Sequence, residues 1–176
     1  MYCKYFLAGL FIFIASCNNK AKEKEQVVQA PYTIHDRAYD YAMNADAKTL
    51  ALTDSLIAAR APEMEKAYYS KAIYFTNTGK HEEALINYNK AIEMRYNFLD
   101  AHLDKGILLY DLKRYAEAMK TFDRAIQIDA AVAEFYLWMA RTQQAMGKKP
   151  EAKLSYEKAY GLDEEMTEAK DSADKL

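Results

Sequence analysis

Three histidines, two pairs of adjacent acids, two cysteines and fifteen tyrosines are the residues of this chain that could do chemistry. Metal ligation needs imidazoles brought to one face, as in His-x-x-x-His on a helix. His35, His81 and His102 are far apart and stand in no such motif, so solvated polar roles are expected for all three. General acid–base work needs two carboxylates that converge. Glu82-Glu83 and Glu164-Glu165 are adjacent in sequence, and adjacent residues splay to different sides of a helix. Their expected role is to complement the positive end of a helix dipole. A Gly-rich phosphate loop and a nucleophile elbow are both missing. Catalysis, a cofactor and a metal are therefore not expected. Cys3 and Cys17 both fall near the N-terminus and cannot staple a domain that contains neither.

Composition narrows the elements that could position any site. The 176 residues suit one modest domain with a core. Hydrophobic residues make up 51% and charged residues 28%, a globular balance. Five Gly and three Pro are too few for a turn-rich β fold. Lys plus Arg is 24 against 26 for Asp plus Glu. A near-neutral chain lacks the field that a phosphate backbone selects for, so nucleic acid is not expected as a partner.

A period of 34 residues runs through the sequence. Ala84, Ala118 and Ala152 are spaced by it, as are Tyr88, Phe122 and Tyr156, and Ala91, Ala125 and Ala159. Within each segment the small residue, the aromatic and the second small residue are four and then three apart, which puts them on one helical face. Alanine lets a second helix approach closely, and the aromatic fills the space between neighbouring units. Tyr68, Ala72 and Phe75 mark a preceding helix in the first unit, His102, Gly106 and Leu109 in the second, and Tyr136, Ala140 and Gln143 in the third. Gln143 departs from this pattern. So does Lys113, which stands where the other units turn at Gly79 and Gly147. Tyr68, Tyr88 and Tyr156 fall on packing places and are expected in the core.

This spacing resembles the tetratricopeptide repeat, whose period is 34 residues. The resemblance implies an all-α solenoid of helix-turn-helix units, each burying its face by stacking on the next. Three clear repeats are expected at 65–98, 99–132 and 133–166. Residues 32–62 read as a degenerate helical hairpin, because Thr53-Asp54-Ser55-Leu56-Ile57 echoes Tyr88-Asn89-Lys90-Ala91-Ile92 at an offset of 35. Residues 163–176 read as a capping helix with Met166 and Ala169 on one side.

In this family the first helices of successive repeats line a concave groove. By register the groove places are Tyr69, Ile73, Thr76 and Asn77 in the first repeat. The second supplies Asp100, Leu103, Asp104, Ile107, Tyr110 and Asp111, and the third Glu134, Leu137, Trp138, Arg141 and Gln144. Chaperone-binding members clamp a peptide carboxylate with Lys, Asn and Arg. Here the matching places hold Tyr69, Ile73, Asp104, Glu134 and Trp138, which is no carboxylate clamp. An aromatic and aliphatic groove with an acidic fringe suits a protein segment with apolar anchors and some basic residues. Trp138 is the expected hot spot if it faces the groove; the sequence equally allows it to pack between the second and third repeats.

The N-terminus carries the one modification motif. Lys4 precedes the apolar run 6–14, which is shorter than the ~20 residues of a membrane-spanning helix and has the length of a signal-peptide core. Ile14-Ala15-Ser16-Cys17 resembles the lipobox of bacterial lipoproteins. The resemblance implies removal of residues 1–16 and lipidation of Cys17, with more than one acyl chain (palmitate among them) for stable anchoring. The remaining chain would hold 23 basic and 26 acidic residues, a formal charge of −3. Residues 17–31 are polar and aperiodic and read as a flexible tether reaching ~50 Å at most. Asn18, in place of the Asp that retains such proteins at the inner membrane, favours the outer membrane facing the periplasm; the alternating Lys and Glu that follow fit a surface-export signal as an alternative, and the sequence does not separate the two. The expected function is a membrane-anchored interaction scaffold of the bacterial cell envelope. A self-associating structural component, hence a homo-oligomer, or a non-catalytic ligand-binding lipoprotein is the alternative.

Overall fold

The computed structural model describes residues 32–176. The expected signal peptide at 1–16, the lipidated Cys17 and the tether at 17–31 lie outside the described residues. Helices occupy α1 Ile34–Met43, α2 Lys48–Ala58, α3 Met64–Asn77, α4 His81–Met94, α5 Leu99–Asp111, α6 Tyr115–Ile128, α7 Ala133–Ala145, α8 Lys149–Leu162 and α9 Thr167–Asp174. No strand occurs among the described residues. The helices run as consecutive antiparallel hairpins, each packed on the next, with α9 against α8 at the end. This is the expected all-α repeat solenoid.

The 34-residue period is a packing period. Ala84, Ala118, Ala152, Ala91, Ala125 and Ala159 are all fully buried, and Tyr88, Phe122 and Tyr156 are at most 2% exposed. Each aromatic ring of this size buries enough apolar surface to contribute about 1.5–3 kcal/mol. Gly106 takes the place of Ala72 and Ala140 for a steric reason. A Cβ built on it would lie 2.2 Å from the Phe122 ring.

The same period governs the turns. Ala45, Gly79, Lys113 and Gly147 all have left-handed backbone, with φ of 51°, 76°, 60° and 77°. One residue later, Asp46, Lys80, Arg114 and Lys148 each donate their N–H to the carbonyl five residues back. These are Schellman caps, which satisfy the last carbonyls of a helix at the cost of one left-handed residue. Lys113 therefore keeps the turn that glycine makes elsewhere.

The first hairpin follows the repeat with one slip. Ala45 keeps the 34-residue register of the turns, whereas the buried Thr53 and Leu56 of α2 sit 35 residues before Tyr88 and Ala91. Thr53 Oγ1 donates to the Thr49 carbonyl at 2.7 Å, so the polar substitute for an aromatic is satisfied within its own helix. Thr33 and Asp36 form a capping box at the start of α1. At Gln143, the other departure, Oε1 accepts from Ser155 Oγ at 2.7 Å, so a hydrogen bond replaces aromatic packing between α7 and α8.

Two expectations are corrected. His35 and His102 are buried, at 8% and 4% exposure, not solvated. Each Nε2 donates to a backbone carbonyl, Pro62 at 3.0 Å and Tyr96 at 2.9 Å, so His35 pins the loop ahead of α3 and His102 the loop ahead of its own helix, α5. Glu164 and Glu165 lie in the turn before α9, and Glu168 is the acid of its first turn. Glu82 and Glu83 do occupy the first turn of α4.

Candidate binding groove

Helices α1, α3 and α5 present their outward faces side by side because the small residues of each, Ala38, Ala72 and Gly106, are turned into the stack. The residues on the outward faces come together at Tyr69. Its hydroxyl donates to Asp104 Oδ2 at 2.7 Å, linking α3 to α5. Tyr39 of α1 stacks on it with ring centres 6.2 Å apart, and the Phe98 ring lies at 4.8 Å, tilted by 51°. Tyr88 approaches at 6.1 Å from the core.

Two adjoining clefts share Tyr39, Tyr69 and Asp104. One, of about 480 Å³, is lined also by His35, Lys66, Arg95, Phe98, Asp100 and Leu103. The other, of about 280 Å³, adds Met43, Ile73, Thr76, Asn77, Ile107 and Asp111. Burial, reinforced by the Asp104 charge, holds the Tyr69 hydroxyl well above the usual tyrosine range, so it stays a donor. Burial likewise raises the Asp104 carboxyl above the usual carboxylate range; the Tyr69 hydrogen bond opposes this and Asp100 adds to it.

The cations of the first cleft are already committed. Lys66 pairs with Glu63. Arg95 pairs with Glu65 at 3.6 Å and stacks on Phe98 with its guanidinium 3.7 Å from the ring centre. Among the described residues no cation pairs with Asp100 or Asp104. The groove thus offers aromatic walls around a half-buried carboxylate whose negative charge is met only by a neutral hydroxyl.

Nine of the sequence-derived groove residues, Tyr69, Ile73, Thr76, Asn77, Asp100, Leu103, Asp104, Ile107 and Asp111, line these clefts. Asn77 is partly spent on structure, because its amide donates to the Ala42 carbonyl at 3.1 Å and ties α3 to the end of α1. Tyr110, Trp138 and Arg141 form a separate cluster. Trp138 meets Tyr110 edge to face at 5.6 Å, and the Arg141 guanidinium lies 4.5 Å over its ring. Arg141 also pairs with Glu168. Trp138 is half-buried against the main core and makes both contacts at once. Leu137 departs from the expected groove: it is 8% exposed and packs with Ala140, Tyr156 and Ala169, in the core that α9 closes.

His35, Tyr39 and Met43 of α1, with Lys66, Arg95 and Phe98, were not legible as groove residues. One signal was available. Tyr39 stands 34 residues before Ile73 and Met43 34 before Asn77, so carrying the period into the degenerate hairpin places both.

The sequence matches the tetratricopeptide-repeat family over residues 69–133 and again over 133–166. The protein SGT1 homolog of Bos taurus is 32% identical over 95 residues, covering 53% of this chain and 28% of that protein. Hsp70-Hsp90 organizing protein 2 of Arabidopsis thaliana is 29% identical over 98 residues, covering 56% of this chain and 17% of that protein. The chain spans only a minor part of either relative. Among solved structures, MamA superposes with a TM-score of 0.68 at 17% identity, over 80% of this chain and 81% of that one. The first repeat domain of Spaghetti (RPAP3), solved with an HSP90 peptide, superposes with a TM-score of 0.59 at 22% identity, over 63% and 88%. These likenesses show the fold.

Proposed function

With residues 69–166 belonging to the tetratricopeptide-repeat family, we propose that the chain is a protein-binding scaffold whose groove holds a segment of a partner protein. The observation that carries the reading is Asp104. A half-buried carboxylate without a cation, walled by Tyr39, Tyr69 and Phe98, favours an incoming Lys or Arg flanked by apolar side chains. The same feature speaks against the peptide carboxylate that chaperone-binding members clamp, since Asp104 would repel it. Trp138, with Tyr110 and Arg141, extends the surface towards the third repeat as an aromatic anchor.

The scaffold reading extends to place. A lipid on Cys17 would hold the repeats at a bacterial envelope membrane, the outer membrane on its periplasmic side, with residues 17–31 as tether. Support comes from the lipobox-like Ile14-Ala15-Ser16-Cys17 and, for the outer membrane, from Asn18.

Crosslinking in intact cells tests the groove. A partner protein is expected to be captured through a photoreactive residue at 107. Capture should fall at least tenfold in Asp104→Lys, which reverses the charge, and also in Trp138→Ala. Finding no protein partner in membranes overturns the reading. Cys17→Ala tests anchoring by itself: the protein should leave the membrane fraction, and unchanged fractionation rejects lipidation.

A further inference from the structure

The face of α5 turned away from the groove carries a second charged feature of opposite sign. Lys105 lies one position past Asp104, and the 100° step per residue turns it off the groove face, to clefts lined by α4 and α6. Two adjoining clefts of about 130 and 210 Å³ open there, both lined by Lys105, Thr121 and Arg124, with Lys120 at the second. Lys105 is half-buried, whereas Arg124 and Lys120 are exposed at the mouth.

Among the described residues no carboxylate pairs with Lys105, Lys120 or Arg124. Two acids stand at the rim, and neither pairs with them. Glu117 has both oxygens held by Arg114, at 2.7 Å from Nε and 2.8 Å from Nη2. Glu93 is exposed at the far end beside Asn89. Burial, then the Arg124 charge, pushes the Lys105 ammonium below the usual lysine range, and Glu117 only partly opposes them. His102, which also lines the first cleft, is lowered by burial and by Lys105 and Arg124, so it adds no charge at neutral pH. Cations lining one recess, one of them partly desolvated, attract a small anion, because Coulomb attraction to it offsets the hydration that burial removed.

We propose that this recess is an oxyanion site, with the Lys105 ammonium at its floor and Arg124 and Lys120 at its mouth, taking a phosphate-type group. The planar Arg124 guanidinium can meet two oxygens of such a group, and the two ammonium groups act as point charges. Each cleft exceeds the ~30 Å³ share of a water several-fold, which leaves room for a tetrahedral anion. The site shares no lining residue with the groove clefts and lies on a different face of the same helix. The phosphate could be a free small molecule or a lipid headgroup.

Calorimetric titration of the full chain with inorganic phosphate, at low ionic strength and neutral pH, tests it. Saturable binding is expected, with chloride unable to replace phosphate at matched ionic strength. Lys105→Met keeps the apolar stem and removes the charge; it should weaken binding at least tenfold, and Arg124→Gln about fivefold. Lys158→Gln, away from the clefts, should bind as the unaltered chain does. Vesicles of phosphatidylcholine with and without phosphatidate form the second arm. Phosphatidate-dependent binding that Lys105→Met abolishes identifies a headgroup as the source and supports the site equally. Removing a half-buried uncompensated charge should leave the thermal midpoint unchanged or raised, so a binding loss is not a folding loss. No saturable binding in either arm overturns the proposal, as does equal binding by Lys105→Met and the unaltered chain.

Discussion

The Tyr69 hydroxyl donates to Asp104 Oδ2 at 2.7 Å and so joins two helices of neighbouring repeats through residues 35 apart. The bond crosses the groove floor at the point where aromatic rings from α1, α3 and the α4–α5 loop meet. It satisfies one carboxylate oxygen and leaves the charge uncompensated, which makes the same pair both a structural tie and a binding determinant.

Asp104 should make stability fall as pH rises. Its folded carboxyl is raised, so the folded chain holds the proton more tightly than the unfolded chain. The stabilisation is complete below the ordinary carboxyl value and is lost as pH rises through the folded value. Asp104→Asn, which can still accept from Tyr69, should therefore be more stable than the unaltered chain at about pH 7, with the gain shrinking towards about pH 4. Urea unfolding midpoints at the two pH values check this; an equal difference at both refutes it.

Tyr69→Phe should cost about 1–2 kcal/mol, because a half-buried carboxylate then loses its donor. Asp104→Asn combined with Tyr69→Phe should cost less than Tyr69→Phe alone, a coupling that a double-mutant cycle reads directly.

Lys113→Gly should stabilise the chain by about 0.5–1 kcal/mol. Its backbone φ of 60° already matches the turns at Gly79 and Gly147. A non-glycine residue in left-handed backbone costs roughly 1–2 kcal/mol, from which the extra flexibility of unfolded glycine is subtracted. Gly79→Ala should move stability the other way. Chemical denaturation of both variants decides it.

Gly106→Ala should destabilise by about 1–3 kcal/mol, since the new methyl would sit 2.2 Å from the Phe122 ring. Pairing it with Phe122→Leu should recover part of the loss, because the smaller side chain vacates the ring's edge. Additive losses in the double variant would show that the two positions do not collide.

His102 is lowered by burial, so its neutral form belongs to the folded state. Stability from this group is present above the ordinary histidine value and is lost as pH falls through the folded value. His102→Gln should flatten the decline in unfolding midpoint between about pH 7 and pH 5. A decline as steep as in the unaltered chain would assign it to other groups.

The sequence alone determined the solenoid. A 34-residue period in small and aromatic residues leaves a chain of helices one way to bury its faces, and Ala84, Tyr88 and Ala91 recur at 118, 122 and 125 with the same burial. It also placed the floor of the groove, since helical periodicity fixes which side of α3 and α5 is left over once Ala72 and Gly106 are packed. It could not reach what depends on distances between repeats. The Tyr39 stack on Tyr69 comes from the degenerate hairpin, where the 34-residue period places Tyr39 on a helix face but cannot say how closely its ring meets that of Tyr69. Buried His35 and His102 bond to loop carbonyls that no side-chain pattern encodes. Leu137 occupies a groove position by register, yet it is buried in the cluster that α9 closes with Ala169 and Ala173. Charge follows the same division: composition gave a near-neutral chain, and only the fold put Asp104 in the groove and Lys105, its neighbour in sequence, in separate clefts between α4 and α6.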